Sequence, residues 1–414
     1  MTQSNIVVKK NPVGWMVILC LGFAGLAIAI HSPGHLSYDS TVQLYEASIR
    51  VVVGTHPPMM SMILRLLGGG ETATSIFVFI CSFLTYGSFA LVNASVTGMG
   101  IRPYYERYAL YRLGIIFLLI ANPIVFLYVG IIWKDVLFAS LLAIGVAAGI
   151  ASGVNNGFYK FLLAFGSAIS LFIAMFVRQQ GFLLVPLLLV IPFMGWSKLL
   201  GKPSKIKLLS SVLLILATGF VIAFYVISRS DGITARSFSE GFRTLMVFDI
   251  AGTFAHTGIK KDDFSSMESA KDLESMATSY DSARVDTLFT DPVANRLFDN
   301  KSNLDLRTLW LQVISVDPKG YILHRLHAYA TLMGLRDIQN TLPIHVGLEG
   351  DKIYLDALNL VPGQDERDIF LYSIASFFLE TPIFRHFFWF LLYILGVVIL
   401  FSMKMPEYIS YDAG

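Results

Sequence analysis

The segment from residue 31 to residue 58 contains the side chains best suited to chemistry in this chain. Its sequence is HSPGHLSYDSTVQLYEASIRVVVGTHPP, with a lone carboxylate at Asp39 and a His-Pro-Pro that begins at His56. Two later apolar runs carry a basic residue at one end, Lys134 in IIWKD and Arg178 in FVRQQG. A carboxylate can accept a proton from a hydroxyl, and cations can stabilise an anionic leaving group. We therefore expect an enzyme whose site lies where membrane spans end.

The composition predicts a polytopic, all-α membrane protein. Hydrophobic residues make up 55% and charged residues 14% of the chain, and the mean hydropathy is +0.64. A crossing needs roughly 20 apolar helical residues. Eight runs meet this criterion, near 13–30, 73–97, 109–130, 136–152, 159–177, 182–196, 208–228 and 384–403. The shorter run 369–380 is predicted to lie at the interface, and a membrane-inserted helix is the alternative.

The basic residues set the predicted orientation, because loops rich in Lys and Arg stay in the cytoplasm. Counted from a cytoplasmic N-terminus, the inner segments hold Lys9, Lys10, Arg102, Arg107, Arg112, Lys160, Lys198, Lys202, Lys205, Lys207 and Lys404. The outer segments near the membrane hold only Arg50, Arg65, Lys134 and Arg178. Both termini are therefore predicted to be cytoplasmic. Ala27-Ile28-Ala29 is similar to a signal-peptide cleavage site, but the apolar run fills a whole span, which favours an anchor.

Three regions are predicted along the chain. Residues 1–228 form a transmembrane module of about seven spans, with a first outer loop at 31–72. Residues 229–383 form a mostly helical extracytoplasmic region, since 22 of the 29 acidic residues fall between positions 229 and 385. Residues 384–414 form a last span and a cytoplasmic tail. Pro318 marks a helix start in the second region, where Leu323, Leu326 and Tyr329 could share one face.

The first outer loop is predicted to contain two short interfacial helices. If Asp39 opens a helix, then Asp39, Gln43, Glu46 and Arg50 recur at spacings of three and four and form a polar stripe. Such a helix would lie flat on the membrane surface. The stretch PPMMSMILRLL begins with prolines, which the first turn of a helix tolerates, and predicts a second helix before Gly68.

These features resemble the GT-C glycosyltransferases, membrane enzymes that use polyprenyl-phosphate sugars. The likeness rests on the early Asp39, the two interfacial helices, the His-Pro-Pro at His56, the seven-span module and the region that follows. The short DSxxQ, HPP, KD and Arg signatures are similar to bacterial O-antigen glucosyltransferases of the serotype-converting kind. Many members have an acidic pair where this chain has Asp39-Ser40, and many have an Asn after the Arg where this chain has Gln179-Gln180.

The resemblance implies a GT-C-like helix bundle in a bacterial inner membrane, with its site facing the periplasm. It implies a polyprenyl-phosphate donor, a glycan acceptor such as lipopolysaccharide O-antigen and no nucleic-acid partner. Asp39 would be the general base; the alternative is a helix N-cap, a task that Ser37 or Ser40 could share. Arg178 and Lys134 would bind the donor phosphate; the alternative is snorkelling at a helix end.

Other polar residues have weaker predicted roles. His56 would bind the phosphate or orient Asp39, and the alternative is a turn residue before a proline. Asp135 would cap its helix, pair with Lys134 or contact substrate. The remaining predicted substrate contacts are Gln43, Gln179, Gln180, His324 and Arg325, with surface exposure as the alternative for the last two. Asp249 in FDIAG is a further suggestion.

The sequence predicts no cofactor and no nucleotide chemistry. No pair of the D-x-D type occurs in the first outer loop, so transfer is predicted to be metal-independent, with a divalent cation as the open alternative. A Walker-type loop is absent from the sequence. Two rival functions stay open: a polysaccharide polymerase or ligase, and a flippase or transporter. Transporters place key charges near the midplane and often contain repeats, whereas the charges here lie at span ends.

Overall fold

The computed structural model describes residues 12–51, 56–98, 114, 117–178, 180–192, 236–256, 270–299, 303–336, 341 and 343–402. The chain forms two compact units. The first contains Met1–Ser237 and His345–Tyr372, and the second contains Phe238–Ile344 and Ser373–Gly414. Within the described ranges the regular elements are all helices, and the only extended pairings are isolated bridges. The predicted all-α class is confirmed for this part of the chain.

The helices are numbered α1 to α16 in chain order. The first eight are α1 (Pro12–His31), α2 (Tyr38–Ile49), α3 (Met59–Leu66), α4 (Gly70–Gly98), α5 (Pro123–Tyr128), α6 (Lys134–Val154), α7 (Gly157–Val177) and α8 (Gly181–Leu188). The others are α9 (Arg236–His256), α10 (Ala270–Thr278), α11 (Pro292–Asp299), α12 (Asn303–Val316), α13 (Pro318–Leu332), α14 (Lys352–Leu358), α15 (Glu366–Leu379) and α16 (His386–Ser402). Short 3₁₀ turns cover Asp286–Thr290 and Pro382–Phe384.

Among the described residues, four helices have the length and composition of membrane spans, namely α1, α4, α6 and α7. Shorter apolar helices occupy Phe117–Tyr128, Gly181–Pro192 and His386–Val398. The predicted run 109–130 is interrupted because Asn122 caps a new helix: its side chain accepts a hydrogen bond from Ile124 N, and Pro123 fills the first turn. The predicted span 208–228 lies outside the described residues. The total of eight crossings therefore stays a prediction.

Close packing of α6 on α7 brings two of the predicted cationic positions to neighbouring helix ends. A Cβ added to Gly145 would lie 2.8 Å from Leu171 Cγ, and one added to Gly149 would lie 3.0 Å from Ser167 Oγ. Ser167 Oγ also donates to the Gly145 carbonyl. Small residues of this kind let membrane helices approach closely. Because the helices are antiparallel, the start of α6 lies beside the end of α7.

The segment 345–372 packs on the first outer loop through backbone hydrogen bonds. Leu36 N donates to the Gly347 carbonyl at 3.0 Å, and Glu349 N donates to the Leu36 carbonyl at 2.8 Å. On its other side the same loop pairs with the start of α6, where Ile132 N donates to the His35 carbonyl at 2.9 Å. The sequence division at 229–383 assigned this segment to the extracytoplasmic region, whereas its contacts group it with the first unit.

The second unit has its own apolar core of helix faces. Its fully buried members include Val247, Ile250, Leu273, Leu297 and Leu306. The predicted helix start at Pro318 is confirmed, since Asp317 Oδ1 accepts from Gly320 N at 2.8 Å and caps α13. The predicted apolar face of α13 does not face this core, because Leu326 and Tyr329 are more than half exposed.

Candidate functional site

Asp39 lies in the first turn of α2 with its carboxylate between two basic side chains. The N-cap of α2 is Ser37 and makes no side-chain capping bond, so the alternative of Asp39 as the N-cap is wrong. Asp39 Oδ1 lies 3.4 Å from His56 Nε2, and Asp39 Oδ2 lies 3.4 Å from Lys134 Nζ. Three predicted site residues, separated by up to 95 positions in sequence, therefore meet.

The hydrogen bonding fixes the proton positions in this group. Lys134 Nζ donates to His56 Nδ1 at 2.9 Å, because a charged ammonium can only donate. His56 then carries its proton on Nε2, the atom that faces Asp39. The Asp39 side chain is 59% exposed, while the side chains of His56 and Lys134 are 20% and 16% exposed. The carboxylate is thus open to solvent, and the more deeply buried side chains of His56 and Lys134 contact it from the protein side.

The surroundings favour the charged form of Asp39. Partial burial opposes ionisation, but the hydrogen bond from His56 and the charge of Lys134 outweigh it and hold the pKa of Asp39 well below its usual value of 3.8. The carboxylate is therefore available as a base at every physiological pH. A carboxylate with a low pKa is a weak base, so it takes a proton only from a group that is becoming strongly acidic.

Removal of His56 is expected to raise the pH at which Asp39 takes up a proton. In the native protein Asp39 should stay ionised above about pH 4, since its pKa lies below the usual range. His56→Ala removes the foremost stabilising contact and leaves the partial burial, so the pKa of Asp39 rises and protonation occurs at higher pH. Titration of the Asp39 carboxyl by ¹³C NMR checks this. The control is His386→Ala, at an exposed histidine that begins α16; an equal titration midpoint for both variants would contradict the assignment.

Arg178 and Asp135 form a second ion pair in the same unit, between Arg178 Nη1 and Asp135 Oδ1. Trp133 is the N-cap of α6, so the proposed capping role of Asp135 is wrong, and its partner is Arg178. Lys134 contacts Asp39, and the next residue in sequence, Asp135, contacts Arg178, so the two ion pairs are neighbours. Gln180 is exposed. Gln179 lies outside the described residues.

Two of the four residues in the predicted polar stripe of α2 face the protein. Gln43 is 1% exposed and Glu46 is 2% exposed, and Ser61 Oγ of α3 donates to Glu46 Oε2. Ser61 provides a polar partner on the packed face of α3, so the surface orientation expected from the spacing is wrong for these two positions. The Gln43 side chain is inaccessible in this structure, so a substrate could contact it only if the residues packed over it moved away.

Sequence reasoning missed the histidines that brace the first outer loop. His35 is 1% exposed and lies 2.9 Å from His31, between Nε2 and Nδ1. Gly347 N donates to His35 Nδ1 at 3.1 Å, and Asp368 Oδ1 lies 3.4 Å from the same nitrogen. Burial lowers the pKa of His35 to about 3, so the ring is neutral. His31 and His35 are only four positions apart, but Gly347 is 312 positions from His35, so the sequence carries no signal for that contact.

His324 and Arg325, the predicted substrate contacts of the second unit, bind a buried carboxylate. Asp249 is fully buried. Its carboxylate accepts hydrogen bonds from His324 Nε2 at 3.0 Å, Arg325 Nη2 at 2.7 Å and Trp310 Nε1 at 2.9 Å. The hydroxyl of Tyr280 lies within hydrogen-bond distance of His324 Nδ1, at 2.8 Å. The expectation of surface exposure is wrong for His324, which is 0% exposed. Both nitrogens of its ring are occupied, which favours a structural role.

The described residues contain no group of three or more His, Cys, Asp or Glu side chains placed to hold a metal ion. Metal-independent transfer therefore stays a prediction. Cys20 and Cys81 are buried and free, in accord with packing roles. Comparison of the chain with protein-family models, with curated proteins and with solved structures finds no match. The case for a function therefore rests on the Asp39 group.

Proposed function

We propose that the chain is a GT-C-type membrane glycosyltransferase. It moves a hexose, with glucose as the first candidate, from a polyprenyl-phosphate donor to a hydroxyl of a lipid-linked or nascent surface polysaccharide such as O-antigen. Transfer takes place on the outer face of a bacterial inner membrane and inverts the anomeric centre. The proposal needs no metal and no nucleotide.

One observation carries the proposal: an exposed carboxylate rests on a lysine and a histidine at the end of a membrane-length helix. Lys134 is the first residue of α6, and His31, the last residue of α1, precedes the Asp39 loop by a few positions. A polyprenyl chain lies in the bilayer, so its phosphate sits at this depth. A base and cations at the same level fit a reaction between a lipid phosphate and a water-exposed hydroxyl.

The mechanism is a single displacement. The acceptor oxygen attacks the anomeric carbon, and the bond from that carbon to the phosphate oxygen breaks with its electron pair. The acceptor proton passes to the Asp39 carboxylate, and polyprenyl phosphate leaves as the anion. Lys134 has three N–H donors; His56 and Asp39 engage two of them. The remaining donor is available to a phosphate oxygen, where it stabilises the charge that develops in the transition state.

Arg178 supplies a second cation for the leaving phosphate. Arg178→Ala is expected to lower the rate of transfer by roughly 10- to 100-fold, because a charge-assisted bond to phosphate is lost while the carboxylate base remains. Initial rates at matched amounts of folded protein measure the effect. The control is Arg65→Ala, an exposed arginine in the last turn of α3. An Arg178→Ala rate equal to that of the control would remove Arg178 from the site.

The experiment that tests the function compares surface glycans from cells that express the chain or its Asp39→Asn variant. The proposal expects each modified repeat to gain one hexose only with the native chain, as measured by mass spectrometry of the released glycan. A ladder of longer chains would support a polymerase or ligase instead. Movement of lipid-linked glycan across the membrane without any added sugar, unchanged in Asp39→Asn, would support a transporter.

A further inference from the structure

A closed ring of hydrogen bonds joins the start of α2 to the start of α6. The Nε1 of Trp133 donates to Ser37 Oγ at 2.8 Å. Ser40 Oγ donates to the Ile132 carbonyl at 2.6 Å, so it accepts from the Ser37 hydroxyl, 3.1 Å away. Each of the three donated protons has one acceptor. The peptide bond between Ile132 and Trp133 closes the ring. The side chains of Trp133, Ser37 and Ser40 and the Ile132 carbonyl together form the clamp.

Aromatic packing fixes the indole of the clamp. The ring of His345 stacks on Trp133 with centroids 6.0 Å apart and planes at 27°. Tyr128 meets the same indole edge-on at 5.8 Å. Ser40 is 0% exposed. Ser37 and Trp133 are partly buried. Hydrogen bonds shielded from water in this way are stronger than exposed ones, and a fully satisfied set makes the backbone rigid.

The members of the clamp are sequence neighbours of both charged groups of the site. Asp39 lies between Ser37 and Ser40, and Lys134 follows Trp133 directly. The 3.4 Å separation of Asp39 Oδ2 from Lys134 Nζ therefore depends on how the two helix starts are joined. The Ser37 hydroxyl serves this ring and makes no capping bond, although Ser37 is the N-cap of α2. Use of the N-cap hydroxyl to reach another helix points to a positioning task.

We infer that the clamp holds Lys134 against Asp39 in the geometry that transfer requires. Trp133, Ser37 and Ser40 are positioning residues, since none of them has to touch the substrate. The inference rests on the proposed function for its kinetic consequence. A displacement of reacting groups by about 1 Å can reduce a rate 100-fold, so a loosened clamp lowers kcat and leaves the KM for the acceptor nearly unchanged.

The test uses two variants that open the clamp at different bonds. Trp133→Phe keeps an aromatic ring for the His345 stack but removes the N–H donor together with part of the ring system, and the Trp15→Phe control carries the same change in ring size. Ser37→Ala removes the central hydroxyl, and Ser37→Thr restores it. The matched controls are Trp15→Phe, at an exposed position of α1, and Ser48→Ala, at an exposed position of α2. The protein is assayed at full length, for transfer kinetics and for ionisation of Asp39 by carboxyl ¹³C NMR, with the Asp39 signal assigned by its loss in Asp39→Asn.

The inference expects kcat to fall roughly 10- to 100-fold in Trp133→Phe and Ser37→Ala, with KM changed less than about twofold, and expects Ser37→Thr to recover most of the rate. It also expects the midpoint of Asp39 titration to rise in both opened variants, because Lys134 moves away, and to stay in place in the controls. If native protein transfers sugar while neither kcat nor the midpoint moves, the clamp is refuted and the proposed function stands. If the midpoint moves but native protein transfers no sugar, the clamp stands and the function is refuted.

Discussion

Asp39→Asn is expected to reduce the rate of hexose transfer by about 10²- to 10⁴-fold, the range in which a positioned general base contributes. The amide keeps the size of the side chain but cannot accept the acceptor proton. The neighbouring Lys134 and His56 remain in place, so donor binding should weaken far less than turnover. Initial rates of product formation at saturating donor measure the loss, and the donor KM separates binding from chemistry.

The matched control for this change is Asp356→Asn, at an exposed carboxylate of α14 in the same unit. It should transfer hexose at the native rate. Membrane insertion is checked by the amount of protein recovered from the membrane fraction, which should be equal for the three proteins. Native turnover in Asp39→Asn would remove Asp39 from the role of base and leave its ion pairs as structural contacts only.

Asp249→Ala is expected to destabilise the second unit by several kcal/mol, because two ring N–H groups lose their buried acceptor at a cost of about 1–3 kcal/mol each. Asp249 is fully buried, and its two oxygens receive hydrogen bonds from His324, Arg325 and Trp310. Removal of the carboxylate leaves the Arg325 guanidinium without its anion and two ring donors without acceptors. Chemical unfolding in detergent, followed by a probe in this unit, measures the loss.

The matched control is Asp286→Ala, which breaks an Asp–Arg pair that lies at the surface. Arg284 and Asp286 are 36% and 49% exposed, and such pairs contribute within about 1 kcal/mol. A double variant, Asp249→Asn with Arg325→Met, should recover part of the stability, because it removes both charges together. Equal unfolding midpoints for Asp249→Ala and Asp286→Ala would contradict the structural role of this network.

Local pattern was enough to predict the helices and part of the site. The apolar runs give α1, α4, α6 and α7, and the prolines before Met59 and at Pro318 give the starts of α3 and α13. These features depend on residues near one another in sequence, so composition and spacing reveal them. The positions of Lys134 and Arg178 at helix ends were also predictable, because each residue borders a long apolar run in the sequence.

Contacts between distant residues could not be predicted in the same way. The burial of Glu46 depends on Ser61 of the next helix, and the burial of His324 depends on Asp249, which is 75 positions away. The segment 345–372 reaches the first outer loop through isolated bridges at Leu36 and Leu348, which have no periodicity to detect. To predict each contact, one must know which helix faces pack together. The spacing of residues in a single sequence does not give that information.

The most direct test of glycosyl transfer is release of polyprenyl phosphate by the purified full-length protein. The protein is given a synthetic polyprenyl-phosphate glucose and an O-antigen-type acceptor, and lipid phosphate and glycan product are measured together. We expect one lipid phosphate to be released for each sugar transferred, with inverted configuration, dependence on acceptor and loss of both products in Asp39→Asn. Folded protein that releases no lipid phosphate from any hexose donor, or that releases it equally in Asp39→Asn, would contradict the account.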